Sequence, residues 1–282
     1  MDKRRLEENF FKALMIASAF ILLGGLLSVF AIVVLRGAPA LSIQMITQTP
    51  KGGYYLGREG GIANAIVGSL YLAGGASALA FVISLPVALY LQEYAGTSRL
   101  ASFTRLSLDV LWGVPSIVYG SFGFTVMVYL GMRASLLGGI MALALLELPI
   151  MTRAMDEVMK MVPPRLKEAS YALGATRLET TLNVIVRQAL PGVLMAILLA
   201  LGRAIGDAAS VLFTAGYTDL IPRSLLDPVA SLPLAIFFQL GTPFPEVQQR
   251  AYASGLILMV IVLSLSIASR LLTKRFVRYV IR

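Results

Sequence analysis

Arg203 and Asp207 stand four residues apart inside a long apolar stretch that runs from about Ala189 to Thr214. A charge in the middle of such a stretch is expensive in lipid and needs a partner or a water-filled cavity. On a helix, the i, i+4 spacing would place both side chains on one face, about a turn apart. Two readings follow. The pair neutralises itself and fixes helix packing, or Arg203 offers its planar guanidinium to a passing oxyanion. In the second reading Asp207 holds Arg203 when no anion is bound, or takes a proton from the anion.

Other chemistries are closed by residue type. The chain has no histidine and no cysteine. Ser-His-Asp catalysis, HExxH metal sites, thiolate nucleophiles, Cys-type zinc sites and disulfides are therefore excluded. No Gly-x-x-x-x-Gly-Lys-Ser/Thr loop is present to cradle nucleotide phosphates. Intramembrane aspartyl proteolysis would need a Tyr-Asp pair and a Gly-x-Gly-Asp stretch. The first is absent, and Ala204-Ile205-Gly206-Asp207 lacks the leading glycine. The expectation is no catalytic, cofactor-binding or metal-binding residue.

The elements that would hold Arg203 and Asp207 are membrane spans. Of the 282 residues, 57% are hydrophobic and only 14% are charged, against about 25% charged in soluble domains. Mean hydropathy is +0.80. A span needs about 20 mostly apolar residues, and six stretches qualify: roughly 11–35, 65–91, 110–130, 135–151, 189–214 and 252–272. The expected fold is all-α, a polytopic membrane protein forming one transmembrane domain over residues 1–282. The first stretch lacks a cleavage site and reads as a retained helix. Leu225–Leu240 reads as a short helix at the outer interface.

Of the 24 Lys and Arg, seventeen fall on one set of loops and six on the other, with Arg203 inside a span. The positive-inside rule then places both termini in the cytoplasm. It also accounts for the net charge of +9 without nucleic acid. Glu147 reads as a snorkelling residue near the cytoplasmic end of the fourth span. Asp109 and Trp112 read as interfacial residues at the start of the third, with Asp109 favoured by the helix N-terminus. Gly68, Gly74, Gly75, Gly138 and Gly139 read as close-packing positions.

The longest cytoplasmic loop, within 155–188, mixes charge with Ala, Leu and Gly. Pro163 and Pro164 mark a helix start. Ala169, Ala172, Leu173 and Thr176 give one weakly apolar face, with Gly174 beside it for close backbone approach. A structured loop of this size has to dock on something.

Glu168-Ala169-Ser170-Tyr171-Ala172-Leu173-Gly174-Ala175 resembles the EAA-x-x-x-G loop of ABC importer permeases, with Ser170 for the second alanine. The family's closing Leu-Pro is displaced: Val186-Arg187 stand there, and Leu190-Pro191 follow. Further stretches are similar to the A-type permease subunit of phosphate-specific ABC importers. They are 61–70, Tyr90-Leu91-Gln92-Glu93-Tyr94-Ala95, Val114-Pro115-Ser116-Ile117-Val118-Tyr119-Gly120, Leu148–Arg153, Met161–Pro164 and Leu201–Ala209. The last parallels that subunit's R-A-x-G-E-T-A, with Asp207 for the glutamate and Ala208 for the threonine.

The resemblance implies an ABC importer permease fold in a prokaryotic inner membrane. Glu168, Ala169, Ser170, Gly174 and Ala175 would form the loop that couples to an ATPase. The implied partners are two ATP-binding subunits carrying ATP and Mg, a second homologous permease, an extracytoplasmic phosphate-binding protein and membrane lipid. Another oxyanion such as sulfate or phosphonate is the near alternative substrate, and a stand-alone anion channel the distant one.

Overall fold

The computed structural model describes residues 3–51 and 59–277. Apart from a two-stranded antiparallel hairpin, Pro50–Lys51 (β1) with Glu59–Gly60 (β2), every regular element among them is helical. Helix α1 (Lys3–Gly37) is followed by the short α2 (Ile43–Thr47) and by α3 (Ala63–Tyr90). Next come α4 (Arg99–Trp112), α5 (Ser116–Tyr129) and α6 (Leu136–Lys160). Then come α7 (Pro164–Ala172), α8 (Arg177–Thr180), α9 (Val186–Gly206), α10 (Leu232–Leu240) and α11 (Pro245–Val277). Five helical stretches are long and apolar enough to cross a bilayer, and a sixth is made by α4 and α5 if that bent pair is one broken span.

The centre is α3 packed on α6, with α9 against both and α11 packed on α9. Its small residues explain how close the helices come. Ala73, Ala76, Ala80 and Ala88 of α3 are all but fully buried. Small side chains let helix backbones approach where no water is available to drive association. A Cβ on Gly139 would lie 2.6 Å from Leu72 Cδ2, and one on Gly68 would lie 1.9 Å from the Ala230 carbonyl oxygen. Gly74 differs: nothing among the described residues lies within 4 Å of its Cβ position, so no packing between them requires a glycine there. Leu72, Leu143, Leu146, Ile205 and Val211 fill one half of the core, while Met151, Met155, Met159, Ile185 and Val193 fill the other. Helix α1 lies outside this core, exposed along its length and packed along α11.

Several span boundaries differ from the sequence reading. The third stretch is not one helix from 110 to 130, because α4 and α5 meet at 100°. Pro115 has no N–H to give and pushes Val114 out of the helical region. The Tyr119 hydroxyl donates to the Leu111 carbonyl at 2.8 Å, beside the Val114 N–H at 3.1 Å, and so ties α5 back to α4 across the break. The fourth helix does not stop at Met151 but runs on to Lys160. Of the outer stretch 225–240, only Leu232–Leu240 is helical.

At its start, α6 is joined to the chain that follows α9. Ser135 N–H donates to Thr214 O at 2.9 Å, Leu136 N–H to Asp227 O at 2.8 Å and Leu137 N–H to Leu225 O at 2.8 Å. The first N–H groups of a helix have no partner inside it, and here the irregular segment 214–227 supplies three.

Candidate functional site

The helix carrying Arg203 stops short. Helix α9 ends at Gly206, and Asp207 has extended dihedrals (φ −83°, ψ 127°). The expectation of a continuous helix to Thr214, with Arg203 and Asp207 stacked a turn apart, is therefore corrected. The physical reason is local. Asp207 Oδ2 accepts from Ser210 N–H at 2.8 Å and from the Ser210 hydroxyl at 2.5 Å. A carboxylate bonded to a backbone N–H three residues on is a capping arrangement, which opens a new turn instead of continuing the old helix. The turn over 209–215 follows, with Ala215 N–H donating to Val211 O at 3.0 Å. Asp-x-x-Ser was legible as a capping signal, but the apolar run on either side masked it.

The consequence falls on Arg203. Among the described residues it has no ion pair and no hydrogen bond, and it is exposed. It shares the open face of α9 with Leu199 and Gly206. Irregular backbone inside a membrane domain is tolerated where it is covered by protein or lines a wet cavity. The 209–215 turn is covered. Ser210, Val211, Thr214 and Ala215 are buried, and a Cβ on Gly120 would lie 2.8 Å from the Ala209 and Ser210 carbonyl oxygens. The covered turn and the uncovered guanidinium stand on the two sides of one break.

Glu147 is not interfacial. It lies in the middle of α6, is 0% exposed, and its Oε2 accepts from the Ser77 hydroxyl of α3 at 2.8 Å. Its Oε1 has no partner among the described residues. The sequence reading ended the fourth span near Met151, only four residues beyond Glu147, and the helix instead passes through Pro149 and runs on to Lys160.

Asp109 and Trp112 lie in the last turns of α4, not at a helix start. Asp109 is held by Arg153 Nε at 2.6 Å and not by a helix N-terminus. That contact opens onto a wider network. The fully buried Asp156 carboxylate takes Arg105 Nε at 2.9 Å, Arg153 Nη1 at 3.0 Å and Lys160 Nζ at 3.2 Å. Gln92 Nε2 donates to it at 2.6 Å. A buried charge is tolerated when it is paired and hydrogen-bonded, and this network pins α4 against α6.

The loop carrying Glu168, Ala169, Ser170, Gly174 and Ala175 is built as α7, a sharp turn and α8. Pro163 and Pro164 stand at the start of α7 as expected. Gly174 has φ +82°, and nothing lies within 4 Å of its Cβ position. It serves the turn by its backbone freedom. Thr176 and Glu179 form a reciprocal capping box that opens α8. Ser170 Oγ lies 2.9 Å from Thr180 Oγ1, which ties α7 to α8. The opposite side is bare: Glu168, Ala169 and Ala172 are exposed, Leu173 is 89% exposed and Met161 81%.

The fold is that of an ABC importer permease. A structure described as inward-facing conformations of the MetNI methionine ABC transporter is similar with a TM-score of 0.62 at 20% identity, over 76% of this chain and 95% of that one. An amino acid ABC transporter structure gives a TM-score of 0.59 at 18% identity, over 76% of this chain and 93% of that one.

The chain belongs to the family described as the binding-protein-dependent transport system inner membrane component, whose profile matches residues 80–278. Among curated relatives, it is 35% identical to the phosphate transport system permease protein PstA of Haemophilus influenzae, over 84% of this chain and 83% of the relative. It is 38% identical to PstA 1 of Mycobacterium tuberculosis, strain CDC 1551 / Oshkosh, over 77% and 71%. To PstA of Yersinia pestis it is 36% identical, over 85% and 80%. It is accordingly a multi-pass inner-membrane transport permease.

Proposed function

We propose that this chain is the permease subunit of an ATP-driven phosphate importer and forms half of the translocation pathway. The observation that carries the reading is Arg203, an exposed guanidinium without a partner among the described residues, on the open face of a helix broken inside the membrane domain. Broken helices at membrane depth are where transporters bind and pass charged substrates. A guanidinium matches the geometry of an oxyanion. The relatives named as phosphate permeases support phosphate over other oxyanions.

The distribution of Lys and Arg supports an inward-facing α7 loop and cytoplasmic termini. On that side the bare face of α7 is the docking surface for an ATP-binding subunit, present in two copies and carrying ATP and Mg. A second, homologous permease completes the pathway, and an extracytoplasmic phosphate-binding protein delivers the substrate. The chain itself is a transport subunit and not an enzyme.

The test is uptake of radiolabelled phosphate, with and without tenfold excess sulfate, in cells lacking this chain and in cells given it back. Uptake that returns with the chain and ignores sulfate supports the reading. Unchanged phosphate uptake on loss of the chain overturns it and points to sulfate, phosphonate or another oxyanion.

A further inference from the structure

Helix α3 does not end in an ordinary turn. It widens into a π-helical segment, Leu91–Ala95, closed by Gly96 at φ +53° with Gly96 N–H donating to Leu91 O at 3.1 Å. Single π turns inside or at the end of α-helices are uncommon and tend to stand at functional sites. This one is where four other helices converge. From α4, Arg105 donates to Leu91 O at 3.2 Å and to Gly96 O at 3.0 Å. Gln92 reaches Asp156 of α6. From α7, Lys167 forms an ion pair with Glu93. From α8, the Arg177 guanidinium lies 5.2 Å from the centre of the Tyr94 ring, which itself stacks on Tyr90 at 6.0 Å.

The two contacts from the α7–α8 loop have a common property. Each crosses from the loop to the end of α3, with which the loop has no short covalent connection. The Glu93 side chain is only 4% exposed and Lys167 is its one ion-pair partner among the described residues. A buried carboxylate stripped of its cation is left with an uncompensated charge, which is strongly unfavourable. Separation of α7 from α3 is thereby penalised, while joint movement is not. A second π turn, Thr181–Ile185, sits between α8 and α9, where the same loop rejoins the core.

We infer that Glu93 and Lys167 are positioning residues that make α7 and the π turn of α3 move as one body, so that displacement of the docking loop reaches the central helix of the core. Arg177 on Tyr94 is the secondary clasp. This inference rests on the coupling role proposed above.

The test uses the assembled transporter, permeases with ATPases and phosphate-binding protein, in sealed vesicles, reading ATP hydrolysed per radiolabelled phosphate taken up. Glu93→Gln and Lys167→Gln are each expected to raise that ratio by at least about fivefold, the lower range of coupling between sites. The exchanged pair Glu93→Lys with Lys167→Glu is expected to bring it back towards wild type. A purely structural contact would lower assembled complex and leave the ratio alone. An unchanged ratio in both single variants overturns the inference.

The chain has no cysteine, so Glu93→Cys with Lys167→Cys gives a second measurement that does not depend on the charge variants. Joining the two thiols with a short bifunctional reagent is expected to restore tight coupling. Loss of both uptake and ATP hydrolysis on joining them would mean that the helices must part during the cycle, which also overturns the inference. Wild-type vesicles that hydrolyse ATP but take up no phosphate would count against the proposed substrate alone, and the joined thiols would then be read on ATP hydrolysis.

Discussion

The Asp207 carboxylate accepts both the backbone N–H and the hydroxyl of Ser210, at 2.8 and 2.5 Å, and in doing so turns away from Arg203. One residue thus ends α9 and starts the turn behind it. Asp207→Ala removes the cap and is expected to lower stability by about 1 kcal/mol, the usual worth of such a cap. Asp207→Asn keeps an acceptor oxygen and is expected to lose less. Thermal unfolding of the purified protein in detergent ranks the two, and equal losses would refute the capping role.

Arg203 behaves in the opposite way. Since it pairs with nothing among the described residues, Arg203→Gln is expected to leave the melting temperature within about 2 °C, the size of a surface change. Phosphate uptake is expected to fall by at least about tenfold, the cost of a lost charged hydrogen bond to substrate. Arg203→Lys keeps the charge without the fork and should fall between. A stability loss as large as the uptake loss would assign Arg203 to packing.

Ser77 and Glu147 lie deep between α3 and α6, joined by one 2.8 Å hydrogen bond. Ser77→Ala leaves the buried carboxyl with no partner and is expected to cost about 1–3 kcal/mol. Ser77→Ala combined with Glu147→Leu removes both polar groups and is expected to cost less than Ser77→Ala alone. A double-mutant cycle measures the difference, and simple additivity would show that the bond contributes nothing.

Two glycines of the same helix should part company. A methyl group at Gly68 would stand 1.9 Å from the Ala230 carbonyl oxygen, whereas at Gly74 it would meet nothing within 4 Å. Gly68→Ala is expected to abolish accumulation of folded protein, and Gly74→Ala to be silent. Immunoblots of membranes from cells expressing each variant decide it.

The bare side of α7 gives a fifth expectation. Leu173 is 89% exposed, so Leu173→Asp is expected to leave folding intact and prevent the ATP-binding subunit from co-purifying. Undiminished co-purification would place the docking surface elsewhere.

Sequence patterning reaches these features unevenly. The number of apolar stretches and the Pro163-Pro164 start of α7 were legible because hydropathy and proline act locally. The bend before Ser116 was half legible: Pro115 was visible, but nothing in the string told how sharply the chain would turn. Asp207 was misplaced because a helical spacing was assumed to continue through a capping residue. Glu147 was misplaced because burial depends on which helix covers it, and Ser77 is 70 residues away. The Lys167–Glu93 pair was out of reach for the same reason, with 74 residues between its members.

Helix α6 is a rod of 25 residues, about 37 Å long at 1.5 Å per residue. At one end three backbone bonds fasten it to the segment beyond Asp207, and at the other only Met161, Val162 and Pro163 separate it from α7. A tilt of about 5° around its midpoint would sweep each tip through roughly 1.6 Å, in opposite directions, at that length. Motion at the docking loop and motion of the chain behind Arg203 would then be the two arms of a seesaw, with the buried α3–α6 contact between them.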